Sequence, residues 1–146
     1  MGSGIAQVAA TQGFDTVVVD VSVEIVEKGM ERIRGSLQRL VESHEKSGGK
    51  TGIPPEAKGK ILSRLRPSTE RKELLDCDML IEAIIENEVA KKEVIGALAK
   101  MGYAGLLVSN TSSISITRLA SAYPFPEKFM GMHFMNPVPV QPGCEL

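Results

Sequence analysis

Tryptophan is absent from this 146-residue chain, and tyrosine and phenylalanine together bring aromatics to only 4%. A surface that stacks on nucleic-acid bases therefore has little to be built from. Charge is scarce in either sign's favour: 17 basic and 18 acidic side chains leave a net charge of -1. That balance removes the electrostatic case for nucleic acid or an anionic membrane as partner. No apolar run approaches the length of a transmembrane helix, and residues 1–10 lack the basic opening of a secretory signal. Cys77 and Cys144 stand far apart without a CxxC pairing, which argues against a disulfide framework or a zinc knuckle and for reduced thiols in the cytoplasm. No metal site is expected. What is present is an ordinary globular balance, 42% hydrophobic and 24% charged, in a length that fits one domain.

The pattern alternates helix and strand. Residues 3–12 are rich in small side chains and end at Gly13, a helix C′ position. Thr16-Val17-Val18-Val19-Asp20 is a β-branched run suited to a buried parallel strand. Ser22 then caps a long helix whose apolar stripe is Val23, Val26, Met30, Ile33, Leu37, Leu40 and Val41. Residues 47–55 form the clearest loop, and residues 55–65 read as a further helix. Residues 66–69 make a poor strand by composition; residues 78–85 and 106–109 make good ones, with a helix over 87–100 between them. A final strand covers 129–134. Such alternation predicts an α/β fold with a mostly parallel, doubly wound sheet. Gly2-Ser3-Gly4 has the outline of a GxGxxG start, but position 7 is Gln, so these small residues read either as a phosphate turn or as close helix packing.

Met1-Gly2-Ser3-Gly4-Ile5-Ala6-Gln7 before Val17-Val18-Val19-Asp20 resembles the 3-hydroxyacyl-CoA dehydrogenase family. So do Glu82-Ala83-Ile84-Ile85-Glu86-Asn87 followed by Ser109-Asn110-Thr111-Ser112-Ser113, and the specific string His133-Phe134-Met135-Asn136-Pro137-Val138-Pro139-Val140. The resemblance runs over nearly the whole chain and implies a Rossmann-like NAD-binding domain, residues 1–146, that apparently lacks its first strand. By the match Gly2 is the third glycine of the fingerprint, and the helical C-terminal domain that completes the acyl-CoA site is not included. In the usual 3-2-1-4-5-6 order, the strands ending at Asp20 and at Ile85 would flank the place of the first strand. The resemblance implies NAD-dependent interconversion of L-3-hydroxyacyl-CoA and 3-oxoacyl-CoA, as in fatty acid β-oxidation, with the separate 146-residue chain inactive and weak toward NAD. The alternative is a non-catalytic remnant that self-associates through exposed strand edges; a homo-oligomer is expected in either case. Another 3-hydroxy-acid dehydrogenase is a third option.

The candidate residues follow. Asp20, eighteen positions after Gly2, reads on its own either as a ribose-binding acid or as an acid in a strand-to-helix turn. The resemblance favours the ribose, and hence NAD over NADP. His133 is the candidate base, since imidazole can take the hydroxyl proton in one direction and return it in the other. The resemblance makes Glu145 its acidic partner, and Pro142 and Gly143 would alter the backbone that carries Glu145. It also implies that Ser112 contacts the substrate oxygen or the nicotinamide end, that Asn136 lies near the nicotinamide, and that Glu86 and Lys91 surround the cofactor ribose. Ser36 matches a coenzyme A contact, whereas Ser43 stands where the family tends to have lysine. Without the resemblance each of these polar residues reads as turn, cap or surface chemistry.

Overall fold

The computed structural model describes residues 1–141 and 143–146; the expectation for Pro142 lies outside the described residues. The chain divides into two compact units, Ser3–Thr69 and the remainder, Met1–Gly2 with Glu70–Leu146.

In the first unit α1 (Gly2–Thr11, its first residue belonging to the other unit) is followed by β1 (Thr16–Val19), α2 (Val23–Lys46), α3 (Pro55–Ser63) and β2 (Leu65–Ser68). Gly13, with φ of 100°, ends the α1 segment as its sequence suggests. The Ser22 side chain accepts the Ile25 N–H and so caps α2. Along α2 the buried stripe is Val26, Met30, Ile33, Leu37 and Val41. Val23, assigned to that stripe from periodicity, is exposed because it precedes the first turn that meets the core. Ala6, Ala10, Met30, Ile33, Leu37, Ile61 and Leu65 form one apolar cluster. The loop after α2 folds back on it: Ile53 N–H donates to Leu40 O, and at Gly52, φ 79°, a Cβ would run into that same carbonyl.

Residues 66–69 were a poor strand by composition, yet β2 pairs with β1 in parallel, Thr16 opposite Leu65 through Val19 opposite Ser68. Pro67 cannot donate to a ladder, which suits a strand with a single partner. The helix before it ends at Ser63 rather than 65 because Leu65 is taken up by this pairing.

The second unit holds β3 (Met79–Glu82), α4 (Glu88–Lys100), β4 (Leu106–Ser109), α5 (Ile116–Ala120), β5 (Phe129–Gly131), β6 (His133–Phe134) and β7 (Cys144–Glu145), with short 3-10 turns at Arg71–Leu74 and Pro126–Lys128. Strands β3, β4 and β5 pair in parallel in that order. The expected strand over 78–85 stops at Glu82, whose side chain accepts the Ile84 N–H and turns the chain out of the sheet. The expected strand over 129–134 is interrupted at Met132, and its second half pairs with β7 in antiparallel fashion instead. Leu80, Ile95, Leu98, Leu107, Leu119 and Phe129 pack with Tyr103 and Tyr123. Each tyrosine hydroxyl finds a carbonyl: Tyr103 donates to Leu106 O at 2.8 Å and Tyr123 to Gly105 O at 2.7 Å. Burial, with Tyr123 and Cys77 nearby, pushes the Tyr103 hydroxyl up to about 12. Among the described residues no helix is long and apolar enough to cross a membrane.

Leu37, wholly buried, and Val23, exposed, test the corrected stripe of α2. Leu37→Ala is expected to lower stability by about 2–5 kcal/mol and Val23→Ala by no more than about 0.5 kcal/mol, read from denaturant unfolding. Comparable losses for the two would contradict the placement of α2.

Candidate functional site

At the carboxyl ends of β3 and β4 the chain gathers its polar side chains. Glu82 and Ser109 are register partners across those strands, and the Ser109 hydroxyl donates to Glu82 Oε2. Glu82 Oε1 accepts from the Ile84 N–H and from the Lys91 ammonium, both at 2.8 Å. The backbone ties the two strand ends as well, Asn110 N–H donating to Glu82 O at 2.8 Å. Lys91 comes from α4, whose N-cap Asn87 accepts the Ala90 N–H and so fixes where the helix begins. Its exposure is 0%. Besides Glu82 its ammonium meets Glu86 Oε2 and Ile84 O, each at 3.5 Å.

Glu86 joins this buried pair to the surface. Its Oε1 accepts from Thr111 Oγ1 at 2.6 Å, from the Ser112 and Ser113 backbone N–H groups at 3.0 and 3.1 Å, and from both serine hydroxyls. Thr111 Oγ1 in turn accepts the Ile114 N–H. Partial burial works against ionisation of Glu86, but the bonds from Thr111, Ser112 and Ser113 outweigh it and lower the carboxyl from its ordinary 4.5 to about 2. Ser112, read from the sequence as either functional or turn chemistry, is thus both an exposed hydroxyl and part of an ordered turn.

His133 and Glu145 face each other across the β6–β7 ribbon as register partners, with Nδ1 and Oε2 3.1 Å apart. Residues opposite one another on an antiparallel pair project to the same side, which brings the two side chains together. Phe134 N–H donates to Asn110 Oδ1 at 2.8 Å, so the residue next to His133 is tied to the segment after β4. The ring is 31% exposed, and a neutral imidazole whose Nδ1–H points to a carboxylate leaves Nε2 as an acceptor. Asn136 is exposed, and Gly2 opens α1 with Ala83 Cβ 4.0 Å from where its own Cβ would lie.

The first unit carries two candidates. Asp20 follows the carboxyl end of β1 and is exposed; its Oδ1 accepts the Val21 N–H at 2.8 Å. Among the described residues Oδ2 has no such bond, so the carboxylate has the acceptor capacity that a ribose diol requires. The cap of α2 is Ser22, not Asp20. Ser36 is half-buried on α2, and the Ser43 hydroxyl is bonded to Thr51 Oγ1 at 2.7 Å.

Sequence reasoning missed Glu82, Ser109, Thr111 and Asn110. A signal for the first was present: a carboxylate inside an otherwise apolar strand has to find a buried partner.

The family model described as 3-hydroxyacyl-CoA dehydrogenase, NAD binding domain, matches residues 1–146. A 3-hydroxybutyryl-CoA dehydrogenase of Bradyrhizobium diazoefficiens is 45% identical, covering 100% of this chain and 48% of that protein. The fatty acid oxidation complex subunit alpha of Acinetobacter baylyi is 38% identical over 100% of this chain and 20% of its own length. The solved (S)-3-hydroxybutyryl-CoA dehydrogenase of Ralstonia eutropha has a TM-score of 0.90 at 37% identity, covering 99% of this chain and 49% of that one. The chain spans about half the length of these dehydrogenases, and its parallel α/β units have the Rossmann-like fold.

The depressed Glu86 carboxyl sets a pH window. Because its folded pKa lies below the ordinary value, the stabilisation it provides is fully present above about 4.5 and is lost as pH falls through about 2. Carboxyl 13C spectra are expected to show Glu86 titrating near about 2, with the Ser112 and Ser113 amide signals moving in the same step. Titration in the ordinary carboxylate range would contradict the bonding described.

Proposed function

Because the chain belongs to the 3-hydroxyacyl-CoA dehydrogenase family, as its NAD-binding domain, we propose that it serves an enzyme interconverting L-3-hydroxyacyl-CoA and 3-oxoacyl-CoA. The observation that carries this reading is the His133–Glu145 pair, 3.1 Å from Nδ1 to Oε2. Bound NAD supplies the two-electron acceptor that oxidation of a secondary alcohol needs. Everything else falls to the protein's side chains.

His133 takes the C3 hydroxyl proton on Nε2 in the oxidation and returns it in the reduction. Glu145 orients the ring through Nδ1 and stabilises the imidazolium that forms, the division of labour seen wherever a carboxylate backs a histidine base. Ser112 contributes a hydroxyl to the substrate oxygen or the nicotinamide end. The ionised Glu86 holds the turn that carries it. Asp20 receives the adenosine ribose hydroxyls and repels a 2′-phosphate. Asn136 and Gly2 complete the cofactor contacts, and Ser36 meets the coenzyme A moiety.

The test is NADH-linked reduction of acetoacetyl-CoA by the full-length protein. His133→Ala is expected to lower the rate on the order of 10²–10⁴-fold, as loss of a general base does, and Glu145→Gln to lower it less. Asp20→Ala is expected to weaken NADH binding roughly tenfold to a hundredfold while leaving the pH profile of turnover in place. A His133→Ala protein that retains its rate would overturn the assignment of the base.

A further inference from the structure

Strand β6 consists of His133 and Phe134 alone, and a two-stranded ribbon of that length does not hold its shape in water unaided. The place of His133 has to be set by other parts of the second unit. The parallel ladder of β4 and β5 runs from Leu107 opposite Phe129 to Ser109 opposite Gly131, and Met132 N–H then donates to Ser109 O at 2.9 Å. In such a ladder every second N–H of a strand points to the same neighbour, so the next donor is Phe134 N–H. It goes to a side chain instead of a carbonyl, Asn110 Oδ1 at 2.8 Å. We propose that Asn110 is a positioning residue for the base: its carboxamide carries the β4 ladder one step past the sheet and fixes where His133 stands relative to Ser112.

His133 is the one residue between these two anchors. Met132 before it is held by Ser109 and Phe134 after it by Asn110, so consecutive residues of β4's end grip the backbone on both sides of the base. The grip is itself rigid: Ser109 is wholly buried, and Asn110 N–H donates to Glu82 O at 2.8 Å, which ties Asn110 to β3. The half-buried amide presents its oxygen to β6 because the partner there is an N–H. Glu145 and Asn110 then divide the work. Glu145 meets the ring at Nδ1, 3.1 Å away, and sets its rotation; Asn110 sets the backbone from which the ring projects. Ser112 lies two residues beyond Asn110 in the same turn, so one side chain links the placing of both groups.

This inference rests on the reading of His133 as the base, and its test separates the two. In the full-length protein, Asn110→Leu is expected to lower kcat for acetoacetyl-CoA reduction by about tenfold to a hundredfold, as a small misplacement of a catalytic group does. The NADH dissociation constant should stay within about twofold, since Asn110 acts on the base. In a His133→Ala background the same change should cost less than about twofold more, because the group it positions is already gone. Losses that multiply in that background, or that appear in NADH binding instead of kcat, would overturn the proposal. Asn110→Asp keeps an acceptor at Oδ1 and is expected to recover most of the rate; a loss equal to that of Asn110→Leu would also overturn it. Without ligand, Phe134 N–H exchange with solvent is expected to quicken at least about tenfold in Asn110→Leu and to return in Asn110→Asp. Unchanged exchange in Asn110→Leu would contradict the anchoring. Should Asn110→Leu fail to fold, Asn110→Ser, whose hydroxyl is one bond shorter than the amide oxygen, gives the same readouts. If His133→Ala itself keeps its rate, the assignment of the base falls, and amide exchange at Phe134 still decides whether Asn110 holds β6.

Discussion

A buried ammonium must be neutralised by groups of its own chain, and at Lys91 this requirement organises the end of a sheet. To reach the cation, Glu82 has to lie at the last position of β3 with its side chain on the Ser109 side. The chain then has to leave the sheet at once, because the same carboxylate takes the Ile84 N–H. Removing one member of such a pair usually costs about 3–5 kcal/mol, since the other charge is left uncompensated in the interior. Few surface contacts could tolerate that demand. The consequence is a fixed exit from β3, and Glu86, Asn87 and the start of α4 inherit their places from it.

Within each unit the polar candidates fall at the carboxyl ends of parallel strands. In the first unit Asp20 follows β1; in the second, Glu82 and Glu86 end and follow β3, Asn110 to Ser113 follow β4, and His133 comes just after β5. In open α/β sheets ligands bind beyond the carboxyl ends of the strands, where side chains from successive loops converge. The strands themselves carry Leu80, Leu107 and Val108, all buried, and contribute rigidity rather than chemistry. Ser112 and His133 differ in how they are supported. Ser112 sits in a turn held by an ionised carboxylate, whereas His133 sits on a two-residue ribbon whose partner Glu145 is largely exposed.

Local signals in the sequence carried local structure well. Ser22 before an apolar 3.6-residue stripe marked the start of α2, and Gly13 marked the end of the helix before β1. Elements defined by distant partners were faint or not legible. β2 contains Pro67 and earns strand geometry only by lying beside β1, and β7 exists only as the partner of β6. For the site, Asp20, Glu86, Ser112 and His133 stood out through their motifs. Glu82 stood in the same motif as a carboxylate inside an apolar run, but its partner, Lys91 nine residues later, is fixed only by the fold. The resemblance implied a cofactor role for Lys91; its burial and bonding are properties of the folded chain.

The histidine tautomer tests the central claim most directly, because a base at Nε2 requires the proton of the neutral ring to sit on Nδ1. Long-range 1H–15N correlation spectra of His133, recorded where the ring is neutral, read this without substrate or cofactor. The Nδ1–H form, bonded to Glu145 and replaced by a mixture of tautomers in Glu145→Gln, is the result that the 3.1 Å pairing predicts. An Nε2–H ring indifferent to Glu145 would contradict the account of His133 as the base.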